Sequence, residues 1–368
     1  MKHANNGRND SSIRLLRLGV ALVAPLLLLA QEDGLTPTLS GLPSGSSVAL
    51  GLEYVKSFPE DGPVRLRTLV IGSIRKYERF EAQLLFPRLL REKAFLELTA
   101  RYRNFPQEDF WGLGPDSPKQ HRSNFRVEDV NYFGTVGLRP HPFLCLGLTG
   151  GLLEVNTGPG KDRRWPSTEQ LFTEAQAPAL GRQPDYYHFG TFAQFDYRDN
   201  PDDPHYGGNY LFQWTRYQDR DFGRFSFRRF DVELQQFFGL AQERATLALR
   251  ALATFTARGQ GQEVPFFMQP TVGGSGGLRG FHQYRFRDRN ALVLNAEARV
   301  PLNGFLDGVA FADVGKVFRQ PGALGLRGMA PSAGLGARLK LGTRVFVGLD
   351  AGFSREGARV WVRGSHTF

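Results

Sequence analysis

Apolar and polar residues alternate with a period of two along most of the chain, in segments of roughly ten residues, the length a tilted strand needs to cross a bilayer. About fifteen such segments can be traced. The first are Val48 to Lys56, Leu66 to Arg75, Tyr77 to Phe86, Phe95 to Arg103 and Phe125 to Leu138. Phe143 to Val155, Tyr187 to Arg198, Tyr210 to Gln218, Ser226 to Phe238 and Ala245 to Ala257 follow. Ala291 to Pro301, Gly308 to Phe318, Ala333 to Leu341, Arg344 to Phe353 and Arg359 to Phe368 complete the set. A single-chain membrane barrel has an even number of strands, so sixteen are expected, with the missing one near Leu35 to Leu42. Connections alternate between tight, as at Arg139 to Pro142, and long, as at Asn156 to Asp185. That asymmetry is the habit of outer-membrane barrels, which have short periplasmic turns and long outer loops.

The polar face decides between a soluble sheet and a barrel. Leu292, Leu294, Ala296, Ala298 and Val300 share one side of a segment whose other side carries Asn295, Glu297 and Arg299. In the next segment Ala310, Ala312 and Val314 oppose Asp313. A solid core cannot accept charges along an inward face. A wide barrel can, with lipid outside and water or a plug inside. The predicted fold is therefore all-β, a transmembrane antiparallel barrel.

Composition narrows the chemistry. The 43 glycines and 12% aromatics suit tight turns and interfacial girdles, and the mean hydropathy of −0.32 is too polar only for helical spans. The formal charge of +10, from 46 basic and 36 acidic residues, would permit a nucleic acid partner. The arginines, however, are spread through every segment with no accompanying motif, so no nucleic acid is expected. A single cysteine, Cys145, excludes an internal disulfide and argues against a Cys-rich metal site. No metal or cofactor is expected. The seven histidines fall mostly in loops and termini, no serine sits in a nucleophile elbow and no HExxH occurs, so no enzyme is predicted. The glycine-rich run from Gly273 to Gly280 lacks the helix start and Lys-Ser/Thr of a phosphate cradle. It reads instead as a glycine-dense loop carrying one arginine, Arg279, that is either packed or solvated.

Lys2, Arg8, Arg14 and Arg17 lead into an apolar stretch that closes on Ala30, the pattern of a secretory signal peptide over residues 1–30. The apolar core is shorter than the ~20 residues of a spanning helix. Residues 31–47 then read as a short periplasmic lead and 48–368 as the barrel. The last segment sets Val360 and Val362 against Arg359, Trp361 and Arg363 and finishes on Phe368.

Several stretches together resemble the bacterial surface antigen superfamily, which contains outer-membrane barrel-assembly insertases and two-partner-secretion transporters. They are LRGF at Leu278, Arg279, Gly280 and Phe281, the run Arg285 to Arg289, EARVPL from Glu297 to Leu302, and FADVG with Phe311, Asp313 and Gly315. Asp196 to Pro201 is similar to that family's D-x-R-D-N-P turn, and Phe110 to Gly114 matches in part. The resemblance implies that the LRGF loop folds into the lumen and that Arg279 pairs with Asp313 and Glu297 on the inner wall. It also implies that Phe368 is the signal read by the machinery that inserts outer-membrane barrels. The family's insertases and transporters carry POTRA repeats of roughly 75 residues ahead of the barrel, for which the lead leaves no room, so a POTRA-less member is expected. The implied role is insertion or translocation of proteins, or of lipids, at the bacterial outer membrane. A monomer in contact with membrane lipid and an unfolded protein client is expected. The alternative is a passive or gated pore with an anion-biased lumen.

Overall fold

The computed structural model describes residues 33–38, 41–59, 62–240, 244–341 and 344–363; the expected signal peptide and Phe368 lie outside them. Among the described residues sixteen strands, the number expected, form one antiparallel sheet in chain order. They are β1 (Gly34–Thr38), β2 (Ala49–Phe58), β3 (Val64–Ser73), β4 (Glu78–Leu89), β5 (Ala94–Phe110), β6 (Ser123–His141), β7 (Leu144–Pro159) and β8 (Tyr186–Asp196). The sheet continues through β9 (Gly207–Asp219), β10 (Phe227–Leu240) and β11 (Ala245–Arg258). Two short strands, β12 (Thr271–Val272) and β13 (Phe286–Arg287), pair with each other inside the long connection that follows β11. The sheet resumes with β14 (Asn290–Asn303), β15 (Leu306–Phe318), β16 (Ala330–Leu341), β17 (Arg344–Ser354) and β18 (Gly357–Arg363). Among the described residues no ladder joins β1 to β18.

The sixteenth strand, expected near Leu35 to Leu42, is β1 at Gly34–Thr38, whose alternation is hard to see because it is five residues long, carries Pro37 and is exposed almost throughout. One expectation about boundaries changes. Strands β5 and β6 run to 17 and 19 residues, well beyond the segments read from the sequence. Their extra length stays paired, through Glu108↔Phe125 and Phe110↔Ser123, because aromatic side chains cover it from within.

The alternation is realised as an inside and an outside. Leu98, Tyr132, Leu148, Phe212, Leu249 and Val360 are exposed on the outer face, an apolar belt far larger than a soluble monomer carries. Glu81, Arg101, Asp231, Arg250 and Glu297 are buried on the inner face. Side chains from opposite ends of the chain meet within it. Arg285 donates to Ser117 Oγ at 2.9 Å, from the β5–β6 connection, and to Glu356 at 2.8 Å, from the β17–β18 turn. Such contacts require the sheet to curl on itself, and the fold is that of a transmembrane β-barrel.

Short connections at 90–93, 142–143 and 304–305 gather at one end, and the long ones at 111–122, 160–185 and 259–289 at the other. The long-loop end is filled by an apolar cluster in which Phe266 packs 5.0 Å from Phe110 and 4.7 Å from Phe125 between ring centroids. Charge therefore does not line the whole inner face as the alternation suggested. Near the long loops the wall turns aromatic, because three loops fold back and need an apolar surface to bury against.

Candidate functional site

The connection from β11 to β14 threads back into the barrel. Its two legs are tied by β12 and β13, and Gly114 donates its N–H to Arg287 O at 2.8 Å, joining the loop to the β5–β6 connection. Leu278 and Phe281 are fully buried in an apolar cluster with Val272, Phe286, Val293 and Val317. Gly315 makes room for it: a Cβ there would come within 3.2 Å of Val272 and 3.3 Å of Leu278.

That anchor holds Arg279 against the wall. Its Nε and one terminal nitrogen donate to the two oxygens of Asp313 at 3.1 and 2.7 Å, a bidentate fork, and the other terminal nitrogen donates to Glu297 at 2.5 Å. The guanidinium also lies 3.5 Å over the ring of Phe311. Register explains the convergence: Asn295 pairs with Asp313, Glu297 with Phe311, and Asp313 with Ser332, so these inward residues occupy one level of the wall. Asn295 and Ser332 donate to Asp313 as well, at 2.8 and 3.3 Å.

Three further residues complete the cluster: Arg363, which the sequence places on the polar face of the last segment, and Arg338 and Asp350, which it does not single out. Arg338 donates to Asp350 at 2.6 Å and to Glu297 at 3.3 Å, and Arg363 lies 3.2 Å from Asp350, which is itself 3.7 Å from Arg279. Three guanidiniums thus alternate with three carboxylates, all buried. Alternation put Arg363 opposite Val360 and Val362, yet only the register of β16, β17 and β18 brings it together with Arg338 and Asp350 beside the loop.

The loop backbone is held too. Trp361 Nε1 donates to Arg279 O at 2.7 Å, Ser354 Oγ to Gly280 O at 2.7 Å, Asn295 to Gly277 O at 2.8 Å and Arg250 to Gly276 O at 3.0 Å. Side chains from β11, β14, β15, β16, β17 and β18 therefore grip one loop. The arrangement can bear load, joining six strands through their inner face.

At the short-turn end the Asp196 to Pro201 turn has the local chemistry its residues predict. Arg198 pairs with Asp196 at 2.6 Å, and Asp199 accepts N–H groups from His205 and Tyr206 at 3.0 and 3.1 Å. Its return leg enters the barrel, where Arg299 donates to Asp203 at 3.2 Å and to Pro204 O at 2.7 Å. Replacing Asp203 with Ala removes a buried charge-assisted bond and costs about 1–3 kcal/mol. Heat-modified gel mobility should then show a lower conversion temperature than in the unmodified protein.

Residues 171–345 match the family model for the Omp85 superfamily domain. The chain carries an Omp85 superfamily domain. The stretches from Asp196 through LRGF, EARVPL and FADVG all fall within that span, as the resemblance to the barrel-assembly superfamily required. Among solved structures the barrel is similar to BamA from Haemophilus ducreyi lacking POTRA domains 1-3, at a TM-score of 0.64 and 12% identity over 89% of this chain and 65% of that one. It is also similar to CdiB from Escherichia coli, at 0.62 and 15% identity over 90% and 62%. CdiB from Acinetobacter baumannii matches at 0.52 and 12% identity over 90% and 56%. The chain thus spans less than two thirds of the length of each of these structures. No curated protein matches the sequence.

Proposed function

We propose that this Omp85 superfamily barrel resides in the bacterial outer membrane as a monomer and aids insertion or translocation of proteins, or of lipids, using the edge between β1 and β18 as a seam. One observation carries the reading. The internal loop braces β11 and β14 through β18 into a stiff panel, while β1 is a five-residue strand held by β2 alone among the described residues. A barrel stiff on one side of its weakest joint opens there first, exposing strand edges that an unfolded client can pair with.

An anion-biased pore is the competing reading, favoured by the arginines of the inner wall. Against it, the aromatic cluster fills the long-loop end and the 197–206 turn enters the other. Reconstitution into vesicles separates the two. The expected result is faster folding of an added unfolded barrel client than in empty vesicles, with small, flickering conductance. Steady, large conductance with no effect on client folding would reject the proposal in favour of the pore.

A further inference from the structure

At the long-loop end, beside the first residues of β18, lies a cavity of about 470 Å³ that takes no part in the Arg279 cluster's ion pairs. Its charged lining is Arg75, Arg122, Arg164 and Arg359 against Asp109 and Asp162. Both carboxylates are already engaged: Arg122 donates to the two oxygens of Asp109 at 3.1 and 2.9 Å, and Arg164 to those of Asp162 at 2.9 and 2.7 Å. Arg122 is further fixed 4.6 Å over the ring of Trp165. Arg75 and Arg359 form no ion pair among the described residues. Arg75 donates to Gly45 O at 3.0 Å, and Arg359 to His282 Nε2 at 2.5 Å. His282 must be neutral to accept that bond; burial first, then Arg359 and Arg122, bring its pKa down to about 3. Asp109 acts on Arg75 and Glu356 on Arg359, but each of those carboxylates is already paired, to Arg122 and to Arg285, so two guanidiniums outside any ion pair face one cavity of a size suited to a small ligand.

We infer that this cavity binds a phosphate group, with Arg75 and Arg359 as its charge partners. The excess of two positive charges matches a phosphate monoester dianion. Guanidinium forks suit its tetrahedral oxygens, which accept parallel N–H bonds from two sides. The phosphate can be free or borne by a lipid. Ala358 and Val360 lie on the rim and Val360 is exposed on the outer belt, so a headgroup phosphate can enter while its acyl chains stay against the barrel wall.

The test uses the full-length barrel in a neutral detergent. Inorganic phosphate is titrated calorimetrically in one arm, and mixed micelles carrying phosphatidic acid, or diacylglycerol as the uncharged control, in the other. Saturable binding at one site per chain is expected, absent with diacylglycerol and surviving chloride at matched ionic strength. An Arg75→Gln/Arg359→Gln double variant, checked for folding by heat-modified gel mobility, should weaken binding about tenfold or more. Binding in the phosphatidic acid arm alone identifies a lipid headgroup site; binding of inorganic phosphate as tightly as the lipid identifies a free phosphate site. No binding in either arm, loss of binding in chloride, or an unchanged affinity in a folded double variant would overturn the inference. The inorganic phosphate arm is independent of any role in client insertion, so its failure leaves the proposed function standing.

Discussion

Arg279→Ala is expected to lower the folded fraction of the barrel sharply. The substitution leaves Glu297, Asp313 and Asp350 facing only Arg338 and Arg363, all buried. Removing one partner of a buried ion pair costs on the order of 3–5 kcal/mol, because the charge left behind has no water to take its place. Heat-modified gel mobility of the purified variant gives the readout, with a smaller compact fraction and a lower conversion temperature than the unmodified protein. Asp313→Ala should behave alike, since it strips the fork from Arg279 and removes one acceptor each from Asn295 and Ser332. Arg279→Lys tests geometry apart from charge. It keeps the positive charge but cannot span Asp313 and Glu297 together, and is expected to fall between Ala and the unmodified residue. Unmodified mobility for both Arg279→Ala and Asp313→Ala would refute the pairing as a structural element.

Gly352→Ala should detach the same loop without touching a charge. A Cβ at Gly352 would lie 2.4 Å from Arg279 O and 2.8 Å from Gly280 N, both backbone atoms. The converse holds at Gly280, whose Cβ would lie 2.6 Å from Phe353 O. Neither backbone has slack, because Trp361 and Ser354 fix the loop carbonyls at 2.7 Å. Overpacking of this kind costs about 1–3 kcal/mol. Loop and wall must separate, and the expected sign is trypsin cleavage within residues 273–289 of the detergent-solubilised protein under conditions where the unmodified barrel stays intact. Gly352→Ala as resistant as the unmodified protein would show that the loop does not depend on close backbone approach. If Gly352→Ala and Arg279→Ala impair client folding to the same degree, docking of the loop, rather than its charge, is what the activity requires.

Much of the architecture is legible in residue order. Period-two alternation separates Leu292, Leu294 and Ala296 from Asn295 and Glu297, and the structure keeps that division, with Asn295 and Glu297 buried inside. This works because side chains on a strand must point to opposite faces whatever the strand pairs with. The sixteen-strand count was reachable for the same reason, although β1 is too short and too exposed to carry the signal. The LRGF stretch and its wall acids were visible as motifs, and Arg279 does lie against Asp313 and Glu297.

Residue order alone thus established fifteen of the sixteen strands of the sheet, which side of each faces inward, and that one arginine-bearing loop is unlike the others. All of these are local properties of a chain whose side chains alternate. It could not establish that Arg338, Asp350 and Arg363 join Arg279, that the 197–206 turn meets Arg299, or that four arginines surround a cavity beside β18. Those depend on strand register and on how far the sheet curls, and both are set by packing between residues up to some hundreds of positions apart, which a periodic pattern does not encode.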